Sequence, residues 1–307
     1  MKKIVSLILA VMLLALSLSL TGCGKDDVYN VGICQLMVHE SLDKATQGFI
    51  DALSAKMKDA GKEVKFDMQV AGEANLCTTV INAFTAKKVD LIMANATPAL
   101  LAAANATTKI PVLGTSVTDY ADTFAGKIPA NVTGTSDAVP FKEQAQMMID
   151  TLGLAAGDQV GVLYCTNESN SLIQYEAVKA LFEEKGIVVK AYTFSETTEL
   201  QAVTTAMASE CKAVYVPSDN TVAANDAIVG TICQEKNVPI YTSYGGNVCY
   251  AALAIDYYQL GYETGNMAAE ILLNGKKPAD MAVKTLTPTV AYNNDLCAKL
   301  GIAVPQN

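Results

Sequence analysis

The chain has 307 residues, 51% of them apolar and 17% charged, with 22 basic against 31 acidic residues and a formal net charge of −9. That balance describes a folded protein with ample core, and it repels phosphate backbones, which excludes nucleic acid as a partner. Every basic residue is Lys, and neither Arg nor Trp occurs, so a bidentate guanidinium clamp on a ligand carboxylate or phosphate is excluded as well.

The first residues are Met1-Lys2-Lys3, followed by a mostly apolar run from Ile4 to Leu20 and then Leu20-Thr21-Gly22-Cys23. A basic start, an apolar stretch and a small-residue cleavage site predict a secretory signal rather than a spanning helix. The Leu-x-Gly-Cys ending resembles the bacterial lipobox, which implies lipidation of Cys23. Residues 1–22 are therefore expected to be a lipoprotein signal peptide and residues 23–30 a tether, with the rest extracytoplasmic and lipid-anchored to the cell membrane. Without Lys2 and Lys3 the charge becomes 20 − 31 = −11. Beyond Cys23 lie seven cysteines with no C-x-x-C pair, and His39 is the only histidine. No metal or other cofactor is expected. Cysteines in runs such as "VGICQL" and "VGVLYC" read as small buried hydrophobes.

From Val31 the chain alternates apolar runs with helical patterns: "VGICQL", "LDKATQGFIDALSAKMKDAG", "VKFDMQV", "VDLIMA", "TPALLAAANAT", "IPVLGTS". This punctuation predicts an α/β fold with parallel strands, buried on both faces and hence continuously apolar. The second half repeats the order. "VGVLYC", "IQYEAVKALFEEKG", "VVKAYTF", "AVYVPSDNTVAANDAIVG" and "VPIYTSYGG" match the opening units, with Gly32 pairing Gly161 and Pro111 pairing Pro239 at offsets of 129 and 128. Two lobes of like topology follow.

The last piece supplies a strand "ALAI", a helix from Tyr257 to Leu273, two short strands "VKTLT" and "TVAY", and a helix near Leu296. Strands left over after two complete lobes predict several crossings between them, near Ser136–Val139, Gly245–Tyr250 and Lys277–Val283, acting as a hinge. The expected N-terminal lobe is 31–137 plus about 251–279, and the C-terminal lobe 138–250 plus about 280–307.

Ligands of open α/β sheets bind beyond the carboxyl ends of strands. Here those ends hold hydroxyls, amides, acids and tyrosines. Thr97-Pro98 reads as an N-cap with proline in the first turn, offering helix amides to a carboxylate, with Thr115 and Ser116 adding hydroxyls. An amine would want Asp219 or Asp256, although Asp219 and Thr97 also suit plain capping. His39 lies on the first strand-to-helix loop and reads as a wall residue. No G-x-S-x-G elbow, phosphate loop or local Cys/His signature accompanies it, so an enzyme is not expected.

The stretches "VGICQLMVHESLDKATQGFIDAL", "VDLIMANATPA", "NVTGTSD", "VGVLYCTNESNS", "VYVPSDNTV" and "IDYYQLGYETGNMAAEIL" resemble the substrate-binding lipoproteins of ABC transporters of the tryptophan/tyrosine-binding type. The resemblance implies a type I periplasmic-binding-protein fold, with two Rossmann-like lobes, parallel sheets and a multi-segment hinge closing on one small molecule. It further implies a monomer that delivers its ligand, an aromatic amino acid or similar zwitterion, to an ABC permease with a cytoplasmic ATPase. The residues it places around the ligand are His39, Glu40, Asn95, Thr97, Pro98, Thr115, Ser116, Asn167, Glu168, Ser169, Asp219, Asn220, Tyr244 and Asp256. The sequence leaves open a sensory receptor that passes closure to a different membrane partner, with a nucleoside or vitamin-like ligand.

Overall fold

The structure is a computed structural model and describes residues 28–305; the lipobox and Cys23 lie outside them. Among the described residues, no helix is long and apolar enough to cross a membrane.

The first sheet is built from β1 (Val28–Gln35), β2 (Glu63–Val70), β3 (Leu91–Asn95), β4 (Val112–Val117), β5 (Val132–Ser136) and the short β11 (Lys284–Thr285), in the order β11-β5-β4-β3-β1-β2. The second uses β6 (Gln159–Cys165), β7 (Val188–Phe194), β8 (Ala213–Val216), β9 (Ile240–Thr242), β10 (Ala251–Ala254) and β12 (Thr289–Tyr292), in the order β12-β10-β9-β8-β6-β7. Five strands of each sheet share one arrangement, second-first-third-fourth-fifth, so the internal repeat is a repeat of topology. Central strands such as β3, "LIMAN", are buried throughout, whereas the edge strand β2 is mostly exposed or half-buried. Burial on both faces by flanking helices explains why the central strands β1, β3 and β4 are mostly apolar and carry no charged residue. Among the described strands only β12 runs antiparallel to its neighbour.

Helix α1 (Glu40–Asp59) buries Leu42, Ala45, Phe49, Ala52, Leu53 and Met57, one apolar stripe at helical spacing. It packs against a late helix, Tyr257–Asn274, across an unusually close seam. A Cβ on Gly261 would stand 1.8 Å from the Ala45 carbonyl oxygen, and one on Gly48 2.1 Å from that of Tyr258. Only glycine permits this approach. The seam ties the late helix to the first lobe, although the strand just before it belongs to the second.

Two of the three crossings therefore fall at other places than the sequence suggested. The first does leave β5, between Ser136 and the helix Phe141–Leu152. Residues Ala251–Ala254, expected in the N-terminal lobe, pair instead with β9 and β12 in the second sheet, so the second crossing is Ile255–Asp256. The third follows β11, which pairs with β5 in the first sheet, and lies between Thr285 and Thr289 rather than at 277–283. The Gly245-Gly246 stretch looks like a linker because both glycines adopt positive φ. It is the loop at the carboxyl end of β9, and a loop that approaches the cleft needs the same freedom. All seven cysteines in the described residues are free and buried.

Candidate ligand-binding cleft

The carboxyl ends of both sheets face each other across a narrow cleft, closed down to a cavity of about 10 Å³. The first lobe contributes His39, Ser41, Leu42, Ser116, Asp137 and Tyr257, and the second Ser218, Asp219, Asn220, Ala223 and Tyr244.

Gln35, fully buried at the end of β1, organises the turn into α1. Its amide donates to the Met37 carbonyl and to Asp43 Oδ1, both at 2.7 Å, and its oxygen accepts from Thr46 Oγ1 at 2.6 Å. His39 thereby becomes the N-cap in extended backbone, and no side chain caps the helix. The first amides of a helix have no intrahelical acceptor, and the positive end of the dipole adds to their pull on an anion. Ser41 and Leu42, which line the cleft, carry these amides.

Two residues at the ends of adjacent strands adopt positive φ, Ala96 at 91° and Ser116 at 55°. The β4–β5 register shifts between Gly114 and Val117, which turns Ser116 out of the ladder. Its hydroxyl is buried and has no hydrogen-bond partner among the described residues. Backbone strain of this kind is held in place only by surrounding structure and gathers at binding sites. Asp137 follows β5 directly. Its Oδ2 accepts from the Tyr257 phenol at 2.9 Å, while Oδ1 is buried and unpartnered. Burial raises its pKa above the ordinary carboxylate value, against the bond from Tyr257.

On the opposite wall Asp219 is fully buried, with three donors on its carboxylate. Oδ1 caps the short helix Asn220–Ala223 through the Val222 amide at 2.8 Å, and Oδ2 accepts from the Cys165 amide and Ser171 hydroxyl at 2.8 Å each. Burial, and then the charge of Glu168, push its pKa well above the ordinary value. Tyr244 is buried with its hydroxyl unpartnered, and burial raises its pKa as well. No lysine lines the cavity. Two buried carboxylates without a cation make the enclosed space favourable for a positive group.

Of the residues expected around a ligand, the structure brings His39, Ser116, Asp219, Asn220 and Tyr244 to the cavity. Glu40 pairs with Lys44 in solvent at 2.6 Å, and Asp256 is an exposed cap bonding the Gln259 amide; both border the wider outer groove, which shares His39, Ser41, Ala223, Tyr244 and Tyr257 with the cavity. Asn95 holds α1 by donating to the Leu42 carbonyl and Thr46 hydroxyl. Thr115 heads a hydroxyl chain through Thr135 to Thr264. Thr97 is buried inside the first turn of its helix, whose N-cap is Ala96, so neither it nor Pro98 lines the cavity. Asn167 bonds the Ser195 carbonyl on an outer groove, Ser169 is exposed at a helix start, and Glu168 holds the Asn220 end of its helix. The helix end that reaches the cavity is that of α1, and the carboxylate free to meet a cation is that of Asp137. The chain position of Asp137, straight after the strand "VTGTS", was the signal available in the sequence.

Residues 30–307 match the family model described as ABC transporter substrate binding protein. The chain is 36% identical to a tyrosine-binding protein of Clostridioides difficile (strain R20291) over 320 residues, covering 96% of this chain and 90% of that one. Among solved structures it is similar to an ABC domain in complex with L-Trp from Streptococcus pneumonia, with a TM-score of 0.81 and 31% identity, covering 91% and 96% of the two chains. A conserved domain protein from Vibrio cholerae matches with a TM-score of 0.82 and 27% identity over the same shares. A ligand-free, open substrate-binding protein with adhesive properties from Clostridium difficile is 33% identical over 91% and 97%, with a TM-score of 0.67. The chain thus superposes better on the L-Trp complex than on the open protein, in keeping with its narrow cleft.

Proposed function

This chain belongs to the ABC transporter substrate-binding protein family, and from that premise we propose that the molecule it captures outside the cytoplasm and hands to its permease is an aromatic amino acid. The observation that carries the reading is a set of buried polar atoms around one space: Ser116 Oγ, Asp137 Oδ1 and the Tyr244 hydroxyl, none with a hydrogen-bond partner among the described residues. A buried polar atom left unpaired costs about 1–3 kcal/mol. A ligand that meets all three recovers that cost.

The chemistry of the atoms selects a zwitterion. Asp137 Oδ1 accepts, and in a cavity without lysine it suits an ammonium group. The open amides of α1 and the Ser116 hydroxyl donate, and they suit a carboxylate without any Arg. Leu42, Ala223 and the rings of Tyr244 and Tyr257 supply apolar and aromatic surface for a ring. The tyrosine-binding relative and the L-Trp complex support the same reading. A lipid on Cys23, supported by the Leu-Thr-Gly-Cys motif, and a monomeric state complete the proposal.

A calorimetric series on the purified protein tests it. L-Trp, L-Tyr and L-Phe are expected to bind, and the corresponding amines without a carboxylate, or acids without an amine, to bind at least tenfold more weakly, a margin of about 1.4 kcal/mol. Equal affinity for the truncated analogues, or binding of nucleosides and vitamins alone, overturns it.

A further inference from the structure

Glu168 sits on the loop after β6, buried, and does not line the cavity. Its carboxylate nevertheless accepts four hydrogen bonds from two consecutive residues. Oε2 takes the Asn220 amide at 2.9 Å and its side-chain Nδ2 at 2.6 Å; Oε1 takes the Thr221 amide at 2.8 Å and its hydroxyl at 2.7 Å. An ionised carboxylate is an acceptor only, so it fixes which end of the Asn220 amide turns toward it. Nδ2 faces Glu168. Oδ1 is left pointing across the cleft, where His39 Nε2 lies at 3.2 Å.

We propose that Glu168 is the positioning residue of a cross-lobe latch, Glu168–Asn220–His39, which holds the lobes closed and sets how long the ligand stays bound. The orientation works in one direction only. Asn220 offers an acceptor, so His39 must carry its proton on Nε2, and the neutral ring does so in one tautomer. Burial lowers the His39 pKa and favours that neutral ring, opposed by the Asn220 bond and by the acids facing it, Glu168 and Asp226 from the second lobe and Asp43 from its own helix. His39 and Asn220 stand 181 residues apart on different lobes, and opening the cleft breaks their contact. The latch rests on family membership and closure, not on the ligand being aromatic.

Stopped-flow release of L-Trp and L-Tyr from Glu168→Gln is the test. An amide at this position replaces one acceptor by a donor, faces the Asn220 or Thr221 donors wrongly, and frees the Asn220 side chain to turn. Dissociation is expected to quicken about five- to tenfold with the association rate little changed, the size of one lost hydrogen bond to an oriented partner. Asn220→Ala and His39→Phe should quicken it alike, and Glu168→Gln combined with His39→Phe should add nothing to either alone, because the residues act as one unit. His39→Phe leaves the Glu168 carboxylate and its four bonds in place, so it keeps the test valid if Glu168→Gln fails to fold. A lowered melting temperature with unchanged release, or additive effects, overturns the latch.

Failure of both amino acids to bind overturns the ligand reading alone. The latch is then read in ligand-free protein from the nuclear magnetic resonance signals of the one histidine. The wild-type ring should show the Nε2-protonated tautomer, which Asn220 Oδ1 selects, and Glu168→Gln, which frees the Asn220 side chain to turn, should lose that tautomer preference. Identical rings in the two proteins overturn the proposal.

Discussion

Tyr257 holds Asp137: its phenol donates to Oδ2 at 2.9 Å across 120 residues of sequence, while Oδ1 is buried with no hydrogen-bond partner among the described residues. On the proposed amino-acid reading the amine would meet Asp137, since the two oxygens of Asp219 already serve three donors. Asp137→Asn is expected to weaken L-Trp or L-Tyr at least tenfold, since a buried ammonium loses its counter-charge. The deaminated acids should bind mutant and wild type alike. Calorimetry showing unchanged amino-acid affinity would falsify this assignment.

Ser116 carries a buried, unpartnered hydroxyl on a backbone with φ of 55°. Glycine tolerates that conformation and brings no hydroxyl to bury. Ser116→Gly should therefore raise unfolding stability by about 0.5–1 kcal/mol while weakening carboxylate ligands severalfold. Thermal and chemical unfolding read the first effect and calorimetry the second. Loss of stability with full affinity would show that the hydroxyl is only structural.

The pH dependence of binding follows from Asp137, whose pKa in the empty cleft is raised by burial. A bound ammonium favours the ionised form and lowers that pKa, so complex formation releases a proton between the two values. Affinity should fall as pH drops from neutral toward about 4. The folding contribution has the opposite slope. A carboxyl with a raised folded pKa binds more protons native than unfolded, so Asp137 and Asp219 make the ligand-free protein lose stability as pH rises from the unfolded carboxylate value through their folded ones. Titrating Asp137→Asn checks both signs, because its binding should no longer release that proton.

Gly261→Ala places a Cβ 1.8 Å from the Ala45 carbonyl oxygen. The two helices must separate, which costs about 1–3 kcal/mol or more, and the melting temperature should fall by several degrees. Gly275→Ala on the same helix is the contrast. Nothing stands near its Cβ, and its penalty comes only from a φ of 67°. An equal loss at both positions would show that the seam is not the constraint.

How far the sequence reveals this protein depends on which interactions are local. Strand and helix alternation, and the offset between Gly32 and Gly161, state the doubled topology because period and order are properties of neighbouring residues. The strand-end rule picks out residues that line the cavity, His39, Ser116, Asp219, Asn220 and Tyr244. It did not sort that shell by depth. Thr115 and Ser116 are adjacent, yet one joins a hydroxyl chain and the other faces the cavity, because of a register shift between β4 and β5. Glu168 and Asp219 look alike as ligand acids until the long-range donors that occupy them are known. The boundary at Ala251 was misplaced for a related reason: partner choice in a sheet edge, not strand propensity, decides which lobe "AALA" joins.

Asp137 directly follows the strand from which the first crossing leaves, and Tyr257 directly follows the second, so the hydrogen bond between them braces two of the three threads about which the lobes turn. Points close to a pivot travel least when the outer parts swing. On the proposed reading an ammonium anchor there would stay nearly fixed as the lobes open, while His39 and Asn220 would part across the gap. Loading would then be mooring followed by berthing: the amine tied first at the pivot, the carboxylate and ring settling as the walls come together.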